Sequence, residues 1–149
     1  AGNVLNSGTG FLNPVEETTL TIPSTATKVI TVGAYDARFD QAAAFSGRGY
    51  TRATNQVKPD LVAPGVEIMS CAPGGGYQVR TGTSMATPFV TGSAALLMQW
   101  GIVNGNDAYL YGEKMKAYLI RGARRLPGFT AYPNPILGWG ALCTANSIP

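Results

Sequence analysis

The 149-residue chain contains no histidine. It therefore lacks the side chain that most often takes a proton from a hydroxyl or thiol nucleophile near neutral pH. Cysteine is almost as scarce: Cys71 and Cys143 are the whole supply, and no C-x-x-C occurs. That excludes a disulfide framework or a structural zinc site, and leaves both thiols free or buried. Charge is sparse at 13%, with 11 basic against 8 acidic residues and a net charge of +3. Five of the basic residues, Lys114, Lys116, Arg121, Arg124 and Arg125, fall in one stretch that reads as the solvated face of a helix. No basic surface interleaved with exposed aromatics and no known module points to nucleic acid. No targeting sequence is visible. What remains, 45% hydrophobic, is enough for one core and too apolar for disorder.

What the sequence does hold is concentrated at Thr81 to Gly92, T-G-T-S-M-A-T-P-F-V-T-G, which runs into an alanine- and leucine-rich stretch. The pattern sets Ser84 just ahead of a helix with Pro88 expected in its first turn, where no N–H partner is lost. Free amide N–H groups and the positive end of the helix dipole meet there, so negative charge on an attacked carbonyl oxygen would be stabilised. The same residues also read as a plain turn with Ser84 as the helix cap.

Gly82, Thr83, Ser84, Met85, Ala86 and Pro88 match G-T-S-M-A-x-P, and the stretch resembles the nucleophile motif of the subtilisin-like serine peptidases. Ala1-Gly2-Asn3 resembles that family's A-G-N loop. The resemblance implies that Ser84 is the nucleophile and that the Asn3 amide and the Ser84 N–H donate to the oxyanion. Loss of such an asparagine costs roughly two to three orders of magnitude in turnover, as measured in subtilisin itself. Ala1, Gly2 and Thr83 are implied as substrate-binding residues, with Ala1-Gly2 forming one wall of an open pocket for the residue before the scissile bond. Thr81 stands where the family often has asparagine, and Phe89 where it often has histidine.

Further segments fit the same family. Lys28 to Asp36, K-V-I-T-V-G-A-Y-D, is a β-branched run that reads as a strand buried on both faces of a parallel sheet. Phe45-Ser46 with Gly49 resembles an F-S-x-x-G turn, and Lys58 to Gly65, K-P-D-L-V-A-P-G, leads into a strand expected over Val66 to Cys71. Pro73 and Gly74 to Gly76 make a turn before a short strand, Tyr77 to Arg80. Gly138-Trp139-Gly140 resembles the family's terminal G-x-G. The expected class is α/β: a partial parallel sheet flanked by helices, the C-terminal portion of the subtilisin-like fold. D-[ST]-G and H-G-T, which carry the family's aspartate and histidine ahead of the serine, are absent. Residues 1–149 are thus expected to be the C-terminal half of a peptidase domain, with the missing N-terminal half as partner.

Two helices complete the reading. Ser84 to Trp100 is apolar around most of its circumference and is expected to be buried on all sides. At about 17 residues it approaches a membrane span in length, but Pro88 and the serine motif favour a core helix and no span. Asp107 to Arg125 is amphipathic, with Asp107 as a candidate N-cap.

The function this implies is hydrolysis of peptide bonds in peptide or protein substrates through an acyl-enzyme on Ser84, by a secreted or cell-envelope enzyme. The chain by itself is expected to be inactive. A pseudoprotease serving as a binding or regulatory module, and an assembly unit that self-associates through an open sheet edge, are the alternatives. Many family members bind calcium, but Asp36, Asp40, Asp60 and Glu67 show no ligand-loop spacing, so no cofactor or metal is expected of this segment.

Overall fold

The computed structural model describes residue 10 and residues 12–149. Ala1, Gly2 and Asn3 lie outside the described residues. Five strands, β1 (Val32–Asp36), β2 (Gln41–Ala42), β3 (Leu61–Pro64), β4 (Ile68–Cys71) and β5 (Tyr77–Arg80), precede helix α1 (Thr83–Met98). A π-helical turn, Gln99–Val103, extends α1, and α2 (Gly112–Gly122) and α3 (Thr144–Ser147) follow.

β1 and β3 pair in parallel, from Val32 opposite Leu61 to Tyr35 opposite Pro64, and β2 adds an antiparallel edge at Tyr35 and Asp36. On the far side of β3 the C-terminal segment continues the sheet. Val62 donates to Gly140 O, Leu142 donates to Val62 O, and Ala141 exchanges hydrogen bonds with Arg124. Both faces are covered. Ala34, Leu61 and Ala63 pack with Ala86, Val90 and Leu97 of α1, while Tyr35 and Val62 pack with Leu126, Leu137 and Ala141. The expected doubly buried parallel strand is therefore present. It begins at Val32 because the backbone before it is taken by side chains and loop partners: Val29 O accepts from Lys58, and Thr31 N–H donates to Asp60.

β4 and β5 form an antiparallel hairpin, Ile68 opposite Arg80 and Cys71 opposite Tyr77. β4 starts two residues later than expected because Glu67 turns to φ 52, with its N–H donating to Thr81 Oγ1.

Three readings of the helices need correction. α1 is not buried on all sides: Ala86, Val90, Ser93 and Leu97 are buried, whereas Phe89, Leu96 and Met98 are 42, 50 and 45% exposed. The buried face packs on β1 and β3 and on the cluster with Leu110, Met115 and Leu119, and Ser93 Oγ is 2.6 Å from Thr144 Oγ1 of α3. α2 runs from Gly112, and Asp107 is no N-cap: its carboxylate takes Lys114 and the Tyr118 hydroxyl, while Tyr111 holds the N-cap position. Lys116 is not on a solvated face but reaches back to Asp60, and Arg124, beyond the helix, pairs with Asp40. α1 and its π-helical turn, Thr83–Val103, make one 21-residue helix that is long and apolar enough to cross a membrane by length and composition, with 28% of its apolar 18-residue stretch buried in the fold.

Candidate active site

The turn ahead of Ser84 is held at the carboxyl ends of the two parallel strands. Gly65, the residue after β3, accepts the N–H of Gly82 at 2.8 Å and itself donates to Tyr35 O of β1. A side chain at Gly65 would collide with Ala34 and crowd Gly82 O. This close approach fixes where α1 starts.

Gly82, not Ser84, is the N-cap of α1, and no side chain caps the helix. Reading Ser84 as a cap is thereby excluded: it is the second helical residue, its side chain exposed. Met85 N–H donates to Gly82 O, whereas Ser84 N–H has no backbone acceptor among the described residues. No acidic residue occupies the first turn, so the positive end of the dipole is not neutralised. Pro88 lies inside the helix rather than in its first turn. With no N–H to give, it leaves the Ser84 carbonyl without its i+4 donor and opens the helix beside the serine. Thr87 and Thr91 turn their hydroxyls onto the carbonyls of Thr83 and Thr87, which keeps that side of the helix narrow.

Ser84 opens onto a cavity of about 720 Å³, lined also by Thr83, Thr87, Ser46, Val29 and Thr31. A second groove runs along α1 past Ser84, Thr87, Pro88 and Thr91. The structure brings Ser84 and Thr83 together there; Asn3, Ala1 and Gly2 fall outside the described residues. Phe45-Ser46 acquires a role the motif did not announce, because Ser46 Oγ accepts the N–H of Ala34 in β1. Thr81, at a position of departure from the family pattern, anchors Glu67, and Phe89, at the other, is exposed.

Asp36, Asp40, Asp60 and Glu67 are all engaged by basic side chains. Asp36 and Glu67 both take Arg38, which holds Asp36 below its ordinary range, and Arg124 does the same to Asp40. Among the described residues no group of three His, Cys, Asp or Glu is placed to hold a metal. One cluster was missed in the sequence. Lys58, 1% exposed, donates to Asp60 at 2.7 Å and to Val29 O at 3.0 Å, and burial lowers its pKa against the opposing pull of Asp60. Its signal was a lysine and an aspartate two residues apart at the head of the apolar run L-V-A-P.

Residues 1–140 match the model of the subtilase family, and the chain belongs to that family. Serine protease AprX of Bacillus subtilis (strain 168) is 34% identical over 169 aligned residues, covering all of this chain and 36% of AprX. The Clostridium Perfringens CspB protease superposes with a TM-score of 0.91 at 49% identity, covering 96% of this chain and 30% of that one. Patellamide maturation protease PatA superposes at 0.71 with 28% identity, over 89% of this chain and 46% of PatA. The chain spans 36% of AprX and 22% of subtilisin E, well under two thirds of either.

Proposed function

We propose that this chain is the nucleophile-bearing, C-terminal half of a subtilase domain, a serine endopeptidase once an N-terminal half supplies aspartate and histidine. In that reading the Ser84 hydroxyl attacks a peptide carbonyl, the histidine of the other half takes its proton, and the aspartate holds the imidazole tautomer. The Asn3 amide and the Ser84 N–H receive the oxyanion, and Ala1, Gly2 and Thr83 border the substrate. The observation that carries the proposal is the uncapped, exposed Ser84 at the N-terminus of α1, opening on a cavity with no general base among its described lining. The exposed apolar side chains of α1 support the same reading: Phe89 and Leu96 on one flank of its buried face and Met98 on the other are there for an adjoining half to bury. In this reading α1 is a core helix of the complete domain. No cofactor or metal is assigned to this segment. Secretion or the cell envelope remains part of the proposal, although an intracellular serine protease of Paenibacillus polymyxa is 46% identical over 77 residues.

A fluorophosphonate probe on the complete natural protein, beside a Ser84→Ala control, tests this. Labelling that vanishes in the control is the expected result. Absence of labelling in folded protein would overturn it and favour a pseudoprotease. Residues 1–149 produced alone are expected to show no Ser84-dependent peptidase activity, since a serine hydroxyl without a base is a poor nucleophile at pH 7.

A further inference from the structure

The Lys116 ammonium, on α2, sits in a receptor built from two segments, the Thr27 to Val29 backbone and Asp60. It is 2.7 Å from Asp60 Oδ1 and donates to the carbonyls of Thr27 and Val29, each at 3.1 Å. An ammonium has three protons, and these three oxygens take all of them. The receptor is built rather than incidental. The Asp60 side chain is 6% exposed and Lys116's is 16% exposed. The other carboxylate oxygen, Oδ2, is fixed at 2.7 Å by Lys58 Nζ and at 2.7 Å by Thr31 N–H. Lys58 also donates to Val29 O, so that carbonyl serves both lysines. Val29 and Thr31 in turn line the cavity onto which Ser84 opens.

We infer that Asp60, Thr27 O and Val29 O form a binding site for a primary ammonium, occupied by the chain's own Lys116, which as a tethered cation positions the wall of the Ser84 cavity. The acceptor pattern defines the ligand. Without Lys116 the receptor presents three oxygens, Asp60 Oδ1 and the carbonyls of Thr27 and Val29. A monocation with three N–H donors satisfies it. A cation without N–H groups replaces none of these hydrogen bonds: Asp60 Oδ1 and the Thr27 carbonyl lose their donor, while Val29 O keeps the one from Lys58. Emptying the receptor removes both hydrogen bonds from Lys116 to the Thr27 to Thr31 segment, leaving the exposed Lys28–Glu113 pair and the Lys58 tether in place. The inference goes beyond the peptidase reading and does not depend on it.

The test is chemical rescue in the complete natural protein. Lys116→Ala removes the stem and the ammonium and leaves a channel the size of n-propylammonium. The variant is expected to lose on the order of 5 °C in Tm. n-Propylammonium chloride should restore most of that loss, tetramethylammonium chloride at the same concentration should not, and the unsubstituted protein should respond to neither. Lys116→Ala combined with Asp60→Asn should lose the response. Should Lys116→Ala fail to fold, refolding yield with each salt is the readout, and recovery with propylammonium alone is expected. Equal effects of the two salts, no effect of either, or an unchanged Tm in the variant would each overturn the inference.

Discussion

Gly138 stands at φ 58 with its α-carbon against the carbonyls of Pro59 and Asp60, so that Trp139 N–H can reach Asp60 O at 2.9 Å. An added Cβ would overlap both carbonyl oxygens, which belong to backbone and cannot move aside. Gly128, at φ 81, has nothing near its missing Cβ. The pair separates conformation from space. Gly128→Ala is expected to cost about 1–2 kcal/mol, the left-handed penalty alone, and Gly138→Ala more than about 3 kcal/mol because the overlap adds to it. Urea midpoints of the two variants give the answer, and equal midpoints would refute the packing account. Gly138-Trp139-Gly140 was legible in the sequence as a motif, but its reason was not. The residues that crowd it lie almost 80 positions upstream, and no local pattern reports an approach of that separation. Ser84 was legible together with its helix end. That Gly82 rather than Ser84 caps the helix depends on backbone torsions that Gly-Thr-Ser leaves open.

At the scale of elements, α1 explains both what was readable and what was not. Its apolar composition announced a helix with much to bury, yet one side packs on β1 and β3 while another is exposed. The sequence encodes what a helix can bury, whereas the neighbours decide what it does bury, and those described here reach one side. Turned away from Val90 and Leu97 lie Ser84, Thr87, Thr91 and Ala95, all exposed and all small, which is the surface a second element needs in order to come close to the serine. Thr91→Phe is therefore expected to leave the packing against β1 and β3 intact while lowering fluorophosphonate labelling of the complete protein by about tenfold or more, since overpacking a close contact costs roughly 1–3 kcal/mol. Thr91→Ser should label normally. Full labelling of the Phe variant would mean that nothing packs on this side of α1. α2 shows the opposite error of reading. Its basic residues looked like solvated charge because spacing along one helix says nothing of an acid 56 positions away, and Asp60 draws Lys116 inward.

Across the whole molecule, half-buried acids fasten segments together, some neighbouring in sequence and some distant. Asp40 in the turn after β1 holds Arg124, 84 residues on, next to the point where the C-terminal segment joins the sheet. Asp36 and Glu67 share Arg38 and so tie the end of β1 to the entry of β4. Asp107 binds Lys114 and Tyr118 of α2. Asp36, Asp40 and Asp107 are each held below the ordinary aspartate range, chiefly by a hydrogen bond from Arg38, Arg124 and Lys114 respectively. A carboxyl whose pKa is lower in the folded chain than in the unfolded one adds stability that is complete above the unfolded value and disappears as pH falls through the folded value. The stabilisation from these three pairs is therefore present from neutrality down to about pH 4 and is lost below it. Each pair faces solvent and is individually modest, so the prediction concerns the slope of the curve rather than the contribution of any one pair. Tm measured from pH 7 to pH 2 should hold its plateau and then fall below about pH 4, and Asp36→Asn, Asp40→Asn and Asp107→Asn combined should lower the plateau and flatten that fall. Curves for the parent and the triple variant that run parallel throughout would show that these acids do not set the acid limb. Asp60 would then be the next carboxylate to test, since it is buried between Lys58 and Lys116 and holds together the wall of the cavity beside Ser84.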